Sequence, residues 1–286
     1  MRILYLARFE SRGNCDEESI ADALSQLGHT VVCHVDSHAV VKDAGDILLF
    51  HKWFDRTALN RLKGRLQRVF WQFDLLTKRP GPLAKNVNSL LPYIDCGFAT
   101  DGDWVESNKK RANLHWLMQG ADQRLARMCG NPRPGSILFA GRYCHAGHGK
   151  SERLSWINEM RAVYGENFRQ VEGLHGCDLA KAVAESEIVV APDSPGTDRY
   201  WSNRVYLMLG LGAFLVHPWH AGLASQYKDG REIVYYKNRA ELHAKIGHFR
   251  CNPEARIRIA EAGFLRTRAE HTYVNRMHRF LQIVLG

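Results

Sequence analysis

The feature that most constrains this chain is a regular alternation, made twice, of short apolar runs with amphipathic stretches. RILYLA (2–7), TVVCHV (30–35), DILLFH (46–51), RVFWQF (68–73), CGFAT (96–100) and ANLHWL (112–117) have the length and continuous apolarity of strands buried on both faces. Between them lie helical patterns. CDEESIADALSQLGH (15–29) fills its first turn with acids, gathers Ile20, Ala23, Leu24 and Leu27 on one face and ends at Gly28. RTALNRLKGRLQ (56–67) turns Leu59, Leu62 and Leu66 inward as one helix. Strands alternating with helices build βαβ units and a parallel sheet. CGNPRPGS (129–136) then breaks the pattern with two prolines and two glycines. After it the alternation restarts with ILFAGR (137–142), a helix over 150–165, FRQVEG (168–173), a helix over 178–186, EIVVAP (187–192) and EIVYY (232–236). Helices are predicted near 238–249, 253–269 and 271–285. The expected class is α/β, with an N-terminal domain over 1–131, a second over 132–270 and a last helix, 271–286, returning toward the first.

A chain of 286 residues, 45% of them hydrophobic, can fill two such cores. No run approaches the 18 or so apolar residues that a membrane helix needs, and MRILYLARFE reads as a first strand rather than a leader, so a cytoplasmic protein with no membrane span is expected. Seven cysteines, at 15, 33, 96, 129, 144, 177 and 251, are odd in number and form no CxxC pair, which suits free thiols in a reducing compartment. Cys144, His145 and His148 lie close together, but a zinc site wants a second cluster and none follows, so no metal is expected. The net charge of +9 leans toward anionic partners.

One stretch is unlike an ordinary helix-to-strand passage. YWSNRVYLMLGLGAFLVHPW (200–219) opens an apolar helix with Asn203 and Arg204 and closes it with Gly-Leu-Gly before a run of core residues. Together with HAGLASQYKDGREIVYYKNRAELHAKI (220–246) and IAEAGFLRTRAEHTYVNRM (259–277) it resembles the GT-B glycosyltransferases. More narrowly, it resembles the CgeB-like group that carries a "glycosyl transferases group 1" C-terminal domain. FAGR (139–142) and HWLMQGAD (115–122) fit the same family, and the N-terminal half matches loosely through ALSQLGHTV (23–31). The resemblance implies two Rossmann-like domains facing across a cleft. A nucleotide-diphospho-sugar donor, a UDP- or GDP-sugar, would lie on the C-terminal domain and the acceptor on the N-terminal one. No metal cofactor is implied, and the narrower group is taken as retaining.

The chemistry behind that reading is electrostatic. A departing nucleoside diphosphate gathers negative charge, which protein cations and backbone N–H groups meet where no metal does. Arg204 stands in the first turn of its helix, where a cation opposes the helix dipole unless an anion sits beside it, and Asn203 can cap the helix or bond the phosphate or ribose. Arg142 follows the first strand of the second half, and Lys150 lies eight residues on, beyond two glycines that let backbone approach a phosphate. Both belong to the expected diphosphate site. Many retaining relatives carry two glutamates eight residues apart, but Arg199 and Leu207 occupy those places here, so ribose recognition must differ. Asp193, Gly196, Thr197 and Asp198, in APDSPGTDRYW (191–201), form the loop expected to face the transferred sugar; the alternative for the aspartates is turn formation. In the N-terminal half, His51, Asp74, Asp101 and Asp103 follow strands, where parallel sheets bind ligands. His51 is expected as a sugar contact, Asp74 as a base and Gly13 as a point of close approach in the first loop.

The charge is concentrated. From Lys52 to Lys85 there are nine Lys and Arg against Asp55 and Asp74. Lys52, Arg56, Arg61, Lys63 and Arg65, flanked by Trp53 and Trp71, form the expected acceptor surface, suited to a phosphate backbone. DNA bearing a hydroxylated base, as in phage-type modification, is one such acceptor; a polysaccharide or a small molecule is another. A non-catalytic nucleic-acid-binding module and a nucleotide-sugar epimerase are the rival classes.

Overall fold

The computed structural model describes residues 1–9, 15–51, 55–77, 81–142, 150–192 and 197–286. The chain divides into two compact units, Met1–Gln119 with Tyr273–Gly286, and Gly120–Thr272.

The first unit runs β1 (Arg2–Leu6), α1 (Asp16–Gln26), β2 (Thr30–His34), α2 (Ser37–Lys42), β3 (Ile47–Phe50), α3 (Arg56–Arg61), β4 (Gln67–Gln72), α4 (Pro82–Leu90), a 3-10 turn over Leu91–Tyr93, β5 (Cys96–Ala99), α5 (Gly102–Asn108) and β6 (Leu114–Trp116). All pairings are parallel, in the order β2-β1-β3-β4-β5-β6. Alternate side chains point to opposite faces. Leu4, Leu48, Phe50 and Phe70 meet Val40, Leu59, Val87 and Trp104 from α2 to α5. Ile3, Tyr5, Ile47, Leu49, Val69 and Trp71 meet Ile20, Ala23 and Leu24 of α1 on the other face. Burial on both faces is why these strands read as unbroken apolar runs.

The second unit runs β7 (Arg133–Ala140), α6 (Lys150–Tyr164), β8 (Phe168–Val171), α7 (Gly176–Ala184), β9 (Ser186–Val190), α8 (Arg204–Gly210), β10 (Leu215–Pro218), α9 (Ala221–Ala224), β11 (Val234–Tyr236), α10 (Arg239–Arg250) and α11 (Pro253–Glu270). Its parallel sheet has the order β11-β10-β9-β7-β8. Ile137, Phe139, Ile188, Val190 and Val216 pack under Trp156 and Ile157 of α6 and Leu242 and Ile246 of α10. The Pro/Gly stretch contributes the first four residues of β7. There Arg133 donates its N–H to the Glu185 carbonyl, Gly135 donates to the Glu187 carboxylate, and the register shifts between Arg133 and Ile137. The last helix, α12 (Tyr273–Leu285), belongs to the first unit. Its Tyr273, Met277, Phe280 and Leu281 complete the face that α1 covers.

The expected 56–67 helix is shorter. It stops at Arg61, and Gly64 takes the left-handed φ of +73° that only glycine adopts cheaply. Leu59, Leu62 and Leu66 are all buried as expected, but Leu66 reaches the core from the turn rather than from the helix. Lys63 and Arg65 therefore belong to a turn. No helix among the described residues is long and apolar enough to cross a membrane, and among them Cys15, Cys33, Cys96, Cys129, Cys177 and Cys251 are free thiols.

Candidate active site

In the second sheet β7 connects to β8 on one side, while β9 connects to β10 on the other. The loops leaving β7 and β9 diverge, and such a reversal opens a crevice beyond the carboxyl ends of the strands. Gly141 and Arg142 directly follow β7, and Asn203 and Arg204 close the loop after β9. The structure brings these two junctions together. The Arg204 guanidinium carbon lies 5.5 Å over the centre of the Phe139 ring. A Cβ added to Gly141 would stand 2.9 Å from an Arg204 guanidinium nitrogen and 2.8 Å from Phe139 Cζ. Glycine is thus required at 141 by proximity. Its peptide is fixed as well, donating N–H to the Val171 carbonyl at 2.9 Å and accepting from the Gln170 amide at 3.2 Å. Arg142 is the exposed neighbour. A cation stacked on an aromatic ring gains about 0.5–2 kcal/mol from the contact, and the edge of its guanidinium can still donate to an anion.

The start of α8 is capped, but not by Asn203. The Ser202 hydroxyl accepts from Arg204 N at 3.3 Å and its carbonyl from Val205 N at 3.2 Å. Asn203 has helical backbone angles, and its side chain makes no cap bond while its carbonyl accepts from Leu207 N at 3.1 Å. The preceding loop is anchored. Thr197 and Tyr200 exchange backbone bonds, and Trp201 is buried with its indole N–H on the Tyr206 hydroxyl at 3.1 Å. Asp198 is exposed; its carboxylate accepts from Ala221 N at 3.3 Å and its carbonyl from Gly222 N at 3.0 Å, so it also starts α9. Thr197 Oγ1 accepts from Arg199 N. Gly13, Lys52, Trp53, Asp193, Gly196, the side chain of Lys150, and Cys144, His145 and His148 lie outside the described residues. Among the described residues no three His, Cys, Asp or Glu gather as a metal-holding group.

In the first sheet the corresponding reversal lies between β1 and β3. His51, just past β3, is 5% exposed. Its Nδ1 lies 2.6 Å from the Trp71 carbonyl, which can only accept, so Nδ1 carries the proton. Its Nε2 accepts from the Tyr5 hydroxyl at 2.7 Å. Burial, with Glu17 and Asp16 nearby, pushes the Tyr5 phenol well above its ordinary range and keeps it a donor. Both ring nitrogens of His51 are thereby engaged. Asp74 is half-buried and accepts from the Gln72 amide at 2.9 Å. Asp101 is fully buried and accepts from Leu76 N, Thr77 N, Thr77 Oγ1 and Trp104 N, which makes it the cap of α5 and the anchor of the 75–77 loop. Asp103 lies in the first turn of α5.

The basic segment divides. Arg56, Arg61, Lys63 and Arg65 are exposed. Arg68, counted with them by charge, is 3% exposed and grips Asp95 through Nε at 2.9 Å and Nη2 at 2.7 Å. Trp71, expected beside the basic residues at the surface, is fully buried and donates to the Leu117 carbonyl at 3.2 Å; the β4 alternation points it into the core. Three residues carry no signal in the sequence. Phe139 looks like any core aromatic until Arg204 is seen above it. Arg153, in the first turn of α6, is 9% exposed, and no spacing marks it. Tyr93 lines an open depression of about 480 Å³ with Arg56, Thr57, Asn60 and Arg61, from a 3-10 turn that no periodicity announces.

A protein family described as Glycosyl transferase-like matches residues 136–282. No curated protein matches the chain. Among solved structures, an alpha-glucosyltransferase (AGT) in complex with UDP superposes with a TM-score of 0.73, at 11% identity, over 100% of both chains. An alpha-glucosyltransferase in complex with UDP-glucose and DNA containing an abasic site does so with the same score, identity and coverage. HepE of Anabaena, in complex with UDP and glucose, gives 0.66 at 11% identity over 99% of both chains. At these identities the likeness is one of fold, and the fold is GT-B.

Proposed function

The chain belongs to the Glycosyl transferase-like family, and from that premise we propose that it moves a glucosyl group from UDP-glucose to a hydroxyl on a nucleic-acid base, with retention at the anomeric carbon and without a metal ion. The observation that carries the donor half is the meeting of Arg204 with Phe139 and Gly141, directly before Arg142 in the chain, at the strand reversal of the second sheet. The diphosphate rests against these two guanidiniums, and the Gly141 peptide, with no side chain of its own, lets it come close. The solved relatives with UDP and UDP-glucose support the nucleotide, and the one with DNA supports the acceptor class.

In the transfer, the bond from the anomeric carbon to the phosphate oxygen breaks and its electron pair leaves with UDP. Arg142 and Arg204 stabilise the charge as it develops. The acceptor oxygen bonds to the anomeric carbon from the same face, and its proton passes to the departing phosphate. Asp198 and Thr197 orient the glucose hydroxyls. Asn203, which leaves the capping of α8 to Ser202, hydrogen-bonds the ribose or the diphosphate. In the first unit Asp74 orients the acceptor hydroxyl, and His51, locked by Tyr5 and Trp71, is a sugar contact.

The test is mass spectrometry of reactions with UDP-glucose and hydroxymethylated DNA, unmodified DNA or simple saccharides, each with and without EDTA. A hexosyl adduct on the hydroxymethylated DNA alone, formed equally in EDTA and α-linked by NMR, is expected. Transfer to saccharides only, or loss of turnover in EDTA, overturns the acceptor or the metal-free step respectively.

A further inference from the structure

The exposed cations of the first unit form a track rather than a scattered coat. Arg56 and Asn60 are one i, i+4 row of α3, and Thr57 and Arg61 are the next, so the rows lie side by side. Both rows open into the depression that Tyr93 closes. In a parallel sheet every helix-to-strand connection falls on the edge where strands begin. Arg56 starts α3, near the edge where β3 ends; Lys63 and Arg65 precede β4, and Tyr93 precedes β5, at the opposite edge. The track therefore runs down one face of the unit, away from the edge that holds His51 and Asp74.

The acids along this path are already engaged. Asp55 accepts from Ala58 N as the cap of α3. Asp95 is held by Arg68, and Asp43 by Arg2 and His34. Among the described residues no carboxylate pairs with Arg56, Arg61 or Arg65, and Lys63 feels only the Asp95 charge that Arg68 already holds; Arg65 bonds the Val41 carbonyl. Two cations, an amide, a hydroxyl and a phenol around an open depression, with Lys63 and Arg65 exposed on the turn that follows α3, match a phosphodiester chain, which offers regularly spaced anions and sugar edges.

We propose that this α3–Tyr93 track is a phosphate-backbone grip that holds a nucleic-acid acceptor beyond the reacting nucleotide. The inference rests on the nucleic-acid reading of the acceptor, and it separates holding the strand from doing chemistry on it. It assigns Arg56 and Arg61 to backbone phosphates and the Tyr93 hydroxyl to a phosphate or sugar oxygen.

The experiment is fluorescence anisotropy with a short labelled DNA duplex over a salt series, beside calorimetric titration of the wild type with UDP. Removing one phosphate-bound cation makes the slope of log affinity against log salt shallower by about 0.9. Arg56→Gln with Arg61→Gln is expected to make it shallower by about 1.8 on the same scale, and Tyr93→Phe to weaken binding without changing the slope. A matched removal of two exposed charges in the second unit, Arg231→Gln with Arg258→Gln, is expected to leave the slope as it is. An unchanged slope in the α3 variant, an equal change in the control, or displacement of DNA by polyglutamate at equal charge overturns the grip. Wild type that binds UDP but no DNA defeats this inference and spares the donor reading; wild type that binds neither defeats both.

Discussion

Gly141→Ala isolates the contact on which the donor reading rests. The methyl group would meet Phe139 Cζ at 2.8 Å and the Arg204 guanidinium at 2.9 Å. Restoring an ordinary contact of about 3.5 Å needs a shift of roughly 0.6 Å from each. Phe139 is fully buried and packs edge-on against Trp156, with ring centres 5.3 Å apart, so it yields little. The guanidinium, at the end of a flexible side chain, yields most. Overpacking of this kind costs about 1–3 kcal/mol of stability. Misplacing one charge-assisted hydrogen bond to a phosphate costs about 1.5–3 kcal/mol of binding, roughly a 10- to 150-fold weaker Kd for UDP. Titration calorimetry with UDP reads the second effect and thermal unfolding the first. Arg204→Ala sets the ceiling, and the two changes together should weaken UDP no further than Arg204→Ala alone, because both act on one contact. A Gly141→Ala enzyme that unfolds earlier yet binds UDP as the wild type does would show that Arg204 stacks on Phe139 without reaching the diphosphate. Strictly additive losses in the double variant would equally refute the shared contact.

Other outcomes follow from the first unit. Asp95→Asn should cost about 2–4 kcal/mol by chemical denaturation, because it leaves the Arg68 guanidinium buried without its charge. Burial raises the Asp95 carboxyl, but the bonds and charge of Arg68 outweigh it and hold it below its ordinary value. The pair's contribution is thus full above about pH 4 and is lost as pH falls through the folded value, so the gap between wild type and Asp95→Asn should close in acid. Tyr5→Phe removes the donor to His51 Nε2 and should cost about 1–3 kcal/mol, read from the urea midpoint. Phe280→Ala should cost about 3–5 kcal/mol and lower only the calorimetric transition that belongs to the first unit.

The sheet strands were legible because burial on both faces leaves unbroken apolar runs; β3, β4, β5 and β9 stand within a residue or two of their expected places. The three last helices were legible from long periodic patterns. The short helices α2, α4 and α5 were not, since six to nine residues carry too little periodicity and depend on caps such as Asp36 and Asp101. The donor-side residues could be named from the order of strand, glycine and arginine, but not their meeting, which depends on β7 and β9 being neighbours. A count of charges includes Arg68 with its basic neighbours because sequence does not show that Asp95 faces it. Trp71 was misplaced for a related reason: an aromatic beside cations reads the same whether it points outward or into a core.

The first unit needs α12 to close one of its two faces, and the whole second unit is encoded in between. On the ribosome, then, the usual order is inverted. The second unit is contiguous and can reach its native state while synthesis continues, whereas the first must wait with Trp71, Phe98 and Leu24 partly uncovered until the last helix emerges. A nascent chain stalled before Tyr273 should accordingly display a proteolysis-sensitive amino-terminal half attached to a resistant partner.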